Sequence, residues 1–163
     1  MLARIVPDVI DNRFRGPAAA LWLFVPLALM KLALGVAHIV RPDGGEQSVS
    51  TIPLDSYPAG AAQNIIGLMA RMGLEQSLLG LIFVVVLLRY RALVPAMYLV
   101  AVLHFLGGKA IGEWKPLALA GVSGAMTIHL IVGAISFGGL VLSVLGKGYR
   151  RDSTHRRDAS GVS

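Results

Sequence analysis

AAQNIIGLMARMGLEQSLLGLIFVVVLLRYR, residues 61–91, decides the fold. From Ala61 to Leu88 it is largely apolar, and it ends in the basic residues Arg89 and Arg91. A helix rises ~1.5 Å per residue and needs ~20 apolar residues to cross a ~30 Å hydrocarbon core. This run is long enough to span a bilayer with length to spare. Three more apolar runs surround it, at 17–40, 92–111 and 116–145. Pro17 and Pro95 fall in first turns, where a missing backbone N–H costs nothing. The expected fold class is therefore all-α, an integral-membrane four-helix bundle.

The first run is not read as a cleaved signal peptide. Signal h-regions are ~7–15 residues long and end in small residues, whereas this run is longer, contains Lys31 and exits through HIVRPDGG. Residues 1–16 form a short basic leader. Residues 41–60, rich in Gly, Pro, Ser and acids, read as an exposed loop. GEWKP makes a tight connection before the fourth helix, and 147–163 are expected to be a disordered basic tail.

Composition agrees with a membrane protein. Hydrophobic residues make up 55% of the 163 and charged residues 15%, against about 25% charged in soluble domains. Mean hydropathy is +0.69. The net charge of +6 does not point to nucleic acid, because the basic residues gather between apolar runs rather than along a soluble face. With four spans, the leader, the second connection and the tail share a side. That side holds ten basic residues: Arg4, Arg13, Arg15, Arg89, Arg91, Lys147, Arg150, Arg151, Arg156 and Arg157. The other side holds three, Arg41, Lys109 and Lys115. The positive-inside bias predicts both termini in the cytoplasm and a multi-pass protein of the cell inner membrane. The expected partners are the lipid bilayer itself and anionic headgroups at the C-terminal tail, at about 1 kcal/mol per basic residue.

With no cysteine, disulfides, thiolate metal sites and cysteine nucleophiles are excluded. No G-x-S-x-G, H-E-x-x-H or paired acidic arrangement is present, so no catalytic residue or metal is assigned. Ser77, Ser123, Thr127 and Ser136 are hydroxyls expected to bond back to their own helices. Gly73, Ser77 and Gly80 form a small-residue stripe on helix 2, as do Gly121 with Ala125 and Ala134 with Gly138 on helix 4. Such stripes bring helix backbones together. Packing within one monomer is the first reading, and a homodimer seam or a membrane-complex partner the alternative.

The informative residues are the polar ones within the spans. Measured from the cytoplasmic helix ends at ~1.5 Å per residue, Lys31 and Glu75 both lie ~21 Å up, His104 ~18 Å, His129 ~26 Å, Arg71 and Lys109 ~27 Å, and His38 ~31 Å. All fall in the outer half. A charge near the bilayer centre costs ~3 kcal/mol or more unless paired or hydrated. Lys31 and Glu75, at matched depth on consecutive helices, are the expected pair, with Arg71 one turn from the same carboxylate. Two readings of this cluster stand: an interhelical clasp with Arg71, Lys109 and His38 snorkelling outward, or an outward-facing pocket that binds a ligand or relays protons. Lys31, Arg71, Glu75, His104 and His129 are the candidate ligand-binding residues. His104 and His129 also suggest axial ligation of a haem, although their unequal depths are awkward for ligands on opposite faces of one ring. The residues themselves imply no cofactor.

ALMKLALGVAHIVRPDG (28–44) and ARMGLEQSLLGLIFVVVLLRYR (70–91), with the four-span layout, resemble the small bacterial membrane proteins of the DoxX-like group over about residues 20–145. The resemblance implies a four-helix membrane fold, and a few members of that group are linked to quinone-coupled sulfur oxidation. It therefore implies a redox-associated membrane subunit, and a redox subunit holding quinone or haem near His104 and His129 is the competing reading. The residues alone favour an accessory, non-enzymatic ligand-binding protein, with a small-solute or proton carrier acting through Glu75 as a further alternative.

Overall fold

The computed structural model describes residues 5–145. Four α-helices make up the body: α1 (Ala18–Val40), α2 (Ala59–Arg89), α3 (Val94–Trp114) and α4 (Gly124–Leu145). All four are long and apolar enough to cross a membrane. Among the described residues there is no strand. Two 3-10 turns, Leu54–Ser56 and Arg91–Leu93, lie in the connections. The chain is thus all-α with the layout of a multi-pass membrane protein. The expectations for the basic tail at 147–163, and for Arg4, fall outside the described residues.

Three helix boundaries differ from the sequence reading. Helix α2 starts slightly earlier, at Ala59, and α3 runs on through the expected connection to Trp114. The larger change is that α4 starts at Gly124 rather than near Pro116. Residues 115–123 are apolar enough to read as helix, yet Pro116 and the small residues Gly121, Ser123 and Gly124 leave them free for another role. They hydrogen-bond to the first loop: Ala120 N–H donates to the Thr51 carbonyl (2.8 Å) and Gly124 N–H to Val49 (3.0 Å). The Thr51 hydroxyl donates to the Gly121 carbonyl at 3.1 Å. Thr51 has φ 65°, an uncommon conformation for a β-branched residue, costing about 1–3 kcal/mol that these bonds offset. The two loops therefore clasp each other across the loop-side end of the bundle.

At the opposite end, near the chain termini, the leader folds back on the second connection. Ala92 N–H donates to the Asp11 carbonyl, and the Asp11 carboxylate takes Arg15 at 2.8 Å.

Helix α1 is the central element: it packs along α2 and against α4, α4 packs on α3, and α2 makes few contacts with α3. The α1–α2 seam is built from small residues. A Cβ on Gly35 would lie 2.5 Å from the Ser77 backbone N and 2.7 Å from the Gly73 carbonyl, and one on Gly80 would lie 2.5 Å from the Leu32 backbone N. The Gly73–Ser77–Gly80 stripe thus serves packing within the monomer. Ser77 and Ser136 bond back to the Gly73 and Val132 carbonyls of their own helices.

All four helices meet in one layer. Phe24 of α1 stacks on Phe83 of α2 at 5.3 Å and takes the edge of Tyr98 of α3 at 5.2 Å. The Tyr98 ring lies against Gly139 of α4, and its hydroxyl donates to the Ala20 carbonyl of α1 at 2.6 Å. Phe24, Phe83 and Tyr98 are fully buried.

Gly35→Ala must push two backbones apart and is expected to lower stability by about 1–3 kcal/mol. Gly107→Ala, in a helix position with nothing near its Cβ, is expected to stay within about 0.5 kcal/mol of wild type. Chemical denaturation of the detergent-solubilised protein checks both, and equal effects would remove the close α1–α2 approach from the account.

Candidate functional site

Above the aromatic layer, toward the loops, the chain changes character. Seven residues on from Phe24, on the same face of α1, is Lys31, about 10 Å higher. Its side chain continues the inward row Ala20, Phe24 and Leu27, and the residue is only 4% exposed. His104 lies six residues beyond Tyr98 on α3, about 9 Å above it. His129 precedes the buried Val132, Gly133 and Ser136 on the inward face of α4. Three helices thus each carry one of these groups above the aromatic layer. Among the described residues Lys31 has neither a hydrogen bond nor an ion pair, and neither do His104 and His129.

The Lys31–Glu75 pair does not form. The reason is azimuth rather than depth. Glu75 is two residues from Gly73 and two from Ser77, hence ~200° round the helix from each, and those two residues face α1. Glu75 and Arg71 instead lie on the exposed arc of α2, among Leu68, Leu74, Leu78 and Ile82. The polar residues expected to form one cluster are thus divided between two surfaces. Lys31 turns inward, His104 and His129 are exposed above the aromatic layer on α3 and α4, and Arg71 and Glu75 turn away from α1. Lys109 is also apart from both sets, paired with Glu113 one turn on at 2.9 Å.

One inward residue escaped the sequence reading. Gln76 is seven residues before Phe83 on the same face of α2, about 10 Å above the aromatic layer and level with Lys31. It is half-buried and has no hydrogen-bond partner among the described residues. An uncharged amide gives no topology signal, and only its two-turn spacing from an aromatic distinguishes it.

The space these residues border is uncovered on one side. From Leu103 to Trp114 every residue of α3 is exposed except half-buried Phe105, which packs on Gly133 and Phe137 of α4. With few contacts between α2 and α3, these helices stand apart over the loop-side half of the bundle, above the layer of Phe24, Phe83 and Tyr98. This half offers donors and neutral acceptors: an amine, an amide and two imidazoles. Among the described residues no carboxylate forms an ion pair with the amine. Among the described residues no group of three or more His, Cys, Asp or Glu is placed to hold a metal ion.

The first loop builds the rim. Asp43 accepts the N–H groups of Gly45 (2.9 Å) and Ser48 (2.7 Å), and Arg41 donates to the Ser48 hydroxyl at 3.1 Å. Burial pushes the Asp43 carboxyl up, but the Ser48 hydroxyl and these backbone donors outweigh it and hold it at about 2. Gly44 and Gly45 take positive φ, which lets the chain turn tightly enough for His38 Nδ1 to donate to the Gly44 carbonyl at 2.6 Å. Glu46 is 3% exposed. Burial raises its carboxyl above the ordinary value, with Asp43 adding to the rise and Ser50 and His38 opposing it.

Comparison of the chain with family models, with curated proteins and with solved structures returns no match.

Glu46 and Asp43 carry opposite pH signatures. A raised folded-state value stabilises fully below the unfolded value of 4.5 and loses that contribution as pH rises through the folded value. A depressed value, as at Asp43, contributes above 3.8 and is lost as pH falls toward about 2. Glu46→Gln keeps a partner for Ser50 and removes the ionisation. Its thermal midpoint relative to wild type is expected to be higher at pH 7 than at pH 4. A variant that instead loses more stability at pH 7 would mean that an ionised Glu46 supports the loop.

Proposed function

We infer that this is an inner-membrane protein with both termini in the cytoplasm, and that its outward cleft binds a small ligand through Lys31, His104, His129 and Gln76. The ten-to-three bias of basic residues toward the terminal side supports the orientation. The observation that carries the binding reading is Lys31: an amine inside a membrane-spanning helix, 4% exposed, with no partner among the described residues. An uncompensated lysine at mid-span costs about 3 kcal/mol, and a clasp needs a carboxylate that Glu75 does not provide. A ligand with an anionic or hydrogen-bond-accepting head supplies what the amine lacks. The neighbouring imidazoles and the Gln76 amide add donors for the same head, and the exposed apolar residues of α2 and α3 suit an apolar body reaching toward lipid. A carboxylate or a quinone has this chemistry. With no metal set among the described residues and no catalytic motif in the sequence, the protein is read as an accessory binder rather than an enzyme. The aromatic layer on the cytoplasmic side of the cleft favours binding over passage.

Lys31→Met tests this directly, because methionine keeps the length and removes the charge. Purified wild type and variant are titrated with decanoate and, separately, with a short-chain quinone, following thermal stabilisation. Wild type is expected to be stabilised by at least one probe. The variant is expected to bind it about 10- to 100-fold more weakly, the equivalent of about 1.5–3 kcal/mol for a hydrogen bond to a charged group. Without ligand, the variant should be as stable as wild type or more so. A variant that fails to fold, or that binds both probes as wild type does, would return Lys31 to a structural role. A Soret band lost in His104→Ala or His129→Ala would make the occupant haem and overturn the accessory reading.

A further inference from the structure

Arg71 and Glu75 take no part in the proposed ligand site, and their position has a different consequence. Both are exposed, one turn apart on α2, on the arc centred between Leu68, Leu78 and Ile82, which are 63%, 53% and 51% exposed. Counted from Arg89, Glu75 is ~21 Å along the helix and Arg71 ~27 Å. On a ~30 Å hydrocarbon core Arg71 reaches the headgroups by snorkelling, but the shorter Glu75 side chain starts about 9 Å from the boundary. Neither has a hydrogen bond or ion pair among the described residues, with its own neighbour one turn away or with anything else. Apolar residues on such a surface are covered by lipid at no cost. A carboxylate is not.

The same surface is closely approachable. Gly60 and Gly67, on this side of α2 above Arg71, have nothing within 4 Å of a Cβ position. The facing strip therefore runs Gly60, Asn64, Gly67, Arg71, Glu75, Leu78, Ile82, at spacings of three and four that keep to one helix side. By contrast, the exposed small residues Ala134 and Gly138 on α4 carry no neighbouring charge and give no such argument.

We propose that α2 is the seam of a homodimer in which Arg71 of each copy pairs with Glu75 of the other. A two-fold axis along the membrane normal places two α2 helices side by side with residue 73 levels matched. Arg71 and Glu75 differ in height by about 6 Å, within reach of an arginine side chain, and the two-fold makes both cross-pairs at once. The pairing neutralises two carboxylates that no part of the monomer serves. It is self-complementary, so it selects a second copy of this chain over an unrelated helix, which would have to bring its own matching pair of charges. Gly67, one turn above, lets the backbones close up where packing rather than hydrophobic drive holds helices together. The seam lies on the opposite side of α2 from the α1 contact, so it leaves the ligand reading untouched.

The absence of cysteine makes the test clean. Single cysteines are placed at Leu68 or Ile82 on the seam, and at Met126 or Val141 on exposed positions of α4, in full-length protein purified and reconstituted at low density in vesicles. Oxidative cross-linking is expected to give dimer much faster at Leu68 and Ile82 than at Met126 and Val141. On the Ile82→Cys background, Arg71→Glu and Glu75→Arg each juxtapose like charges and should slow cross-linking at least about tenfold. The double reversal Arg71→Glu/Glu75→Arg should restore it to within about twofold. Equal cross-linking at seam and control positions, or none at the seam, overturns the proposal and leaves α2 to lipid or to another chain. Single reversals that cross-link like wild type, or a double reversal that does not recover, overturn the Arg71–Glu75 pairing.

Discussion

The Tyr98 layer is the constraint from which the rest of this structure follows. In lipid the apolar side chains of separate helices gain little from meeting each other, since hydrocarbon surrounds them either way. Close packing and buried hydrogen bonds must hold the bundle. Tyr98 supplies both: its ring closes on Phe24 and Gly139, and its hydroxyl reaches the Ala20 carbonyl across helices. Phe83 completes the contact from α2 through Phe24. The absence of a side chain at Gly139 is what lets the Tyr98 ring lie against α4 while its hydroxyl reaches α1, so a small residue and a large one are required together.

A bundle fastened at one level is free to differ on either side of it. Toward the termini the core stays apolar, and the leader is tied to the second connection through Asp11. Toward the loops the side chains no longer close the bundle, and backbone hydrogen bonds take over: Val49 and Thr51 hold 120–124, and Asp43 holds the turn that carries Glu46. The strained φ of Thr51 belongs to this arrangement, because its carbonyl and hydroxyl engage the same short segment at once. The rim is thus fixed by polar groups rather than by packing, which permits the walls beneath it to remain apart and the inward polar residues to remain unpaired.

The number and apolar character of the four helices were legible from the sequence because each is a one-dimensional property of a run of residues. Position along a helix follows from the same residue count, which puts Lys31, His104 and Gln76 at similar heights above the aromatic layer. What depth could not supply was azimuth. Lys31 and Glu75 match in height and point to different sides, and the Gly73–Ser77–Gly80 stripe already held the missing angle, since whatever faces α1 on that stripe puts Glu75 elsewhere. The start of α4 was hidden for another reason. Residues 116–123 are apolar, so periodicity reads them as membrane helix, while their fate is decided by acceptors at Val49 and Thr51 more than sixty residues away.

Helix α2 shows why one cluster of polar residues in sequence becomes two surfaces in space. Its α1-facing side is fixed by glycines that tolerate no side chain, and that choice rotates every other position about the axis. Gln76 then falls over Phe83, and Arg71 and Glu75 fall on the exposed arc. A charge that serves neither the core nor the proposed ligand site can persist in a membrane helix only if something outside the monomer satisfies it. Lys31 meets the same condition from the inside. Both unpaired groups therefore mark places where the isolated chain is electrostatically incomplete, one at the proposed ligand site and one at the proposed seam.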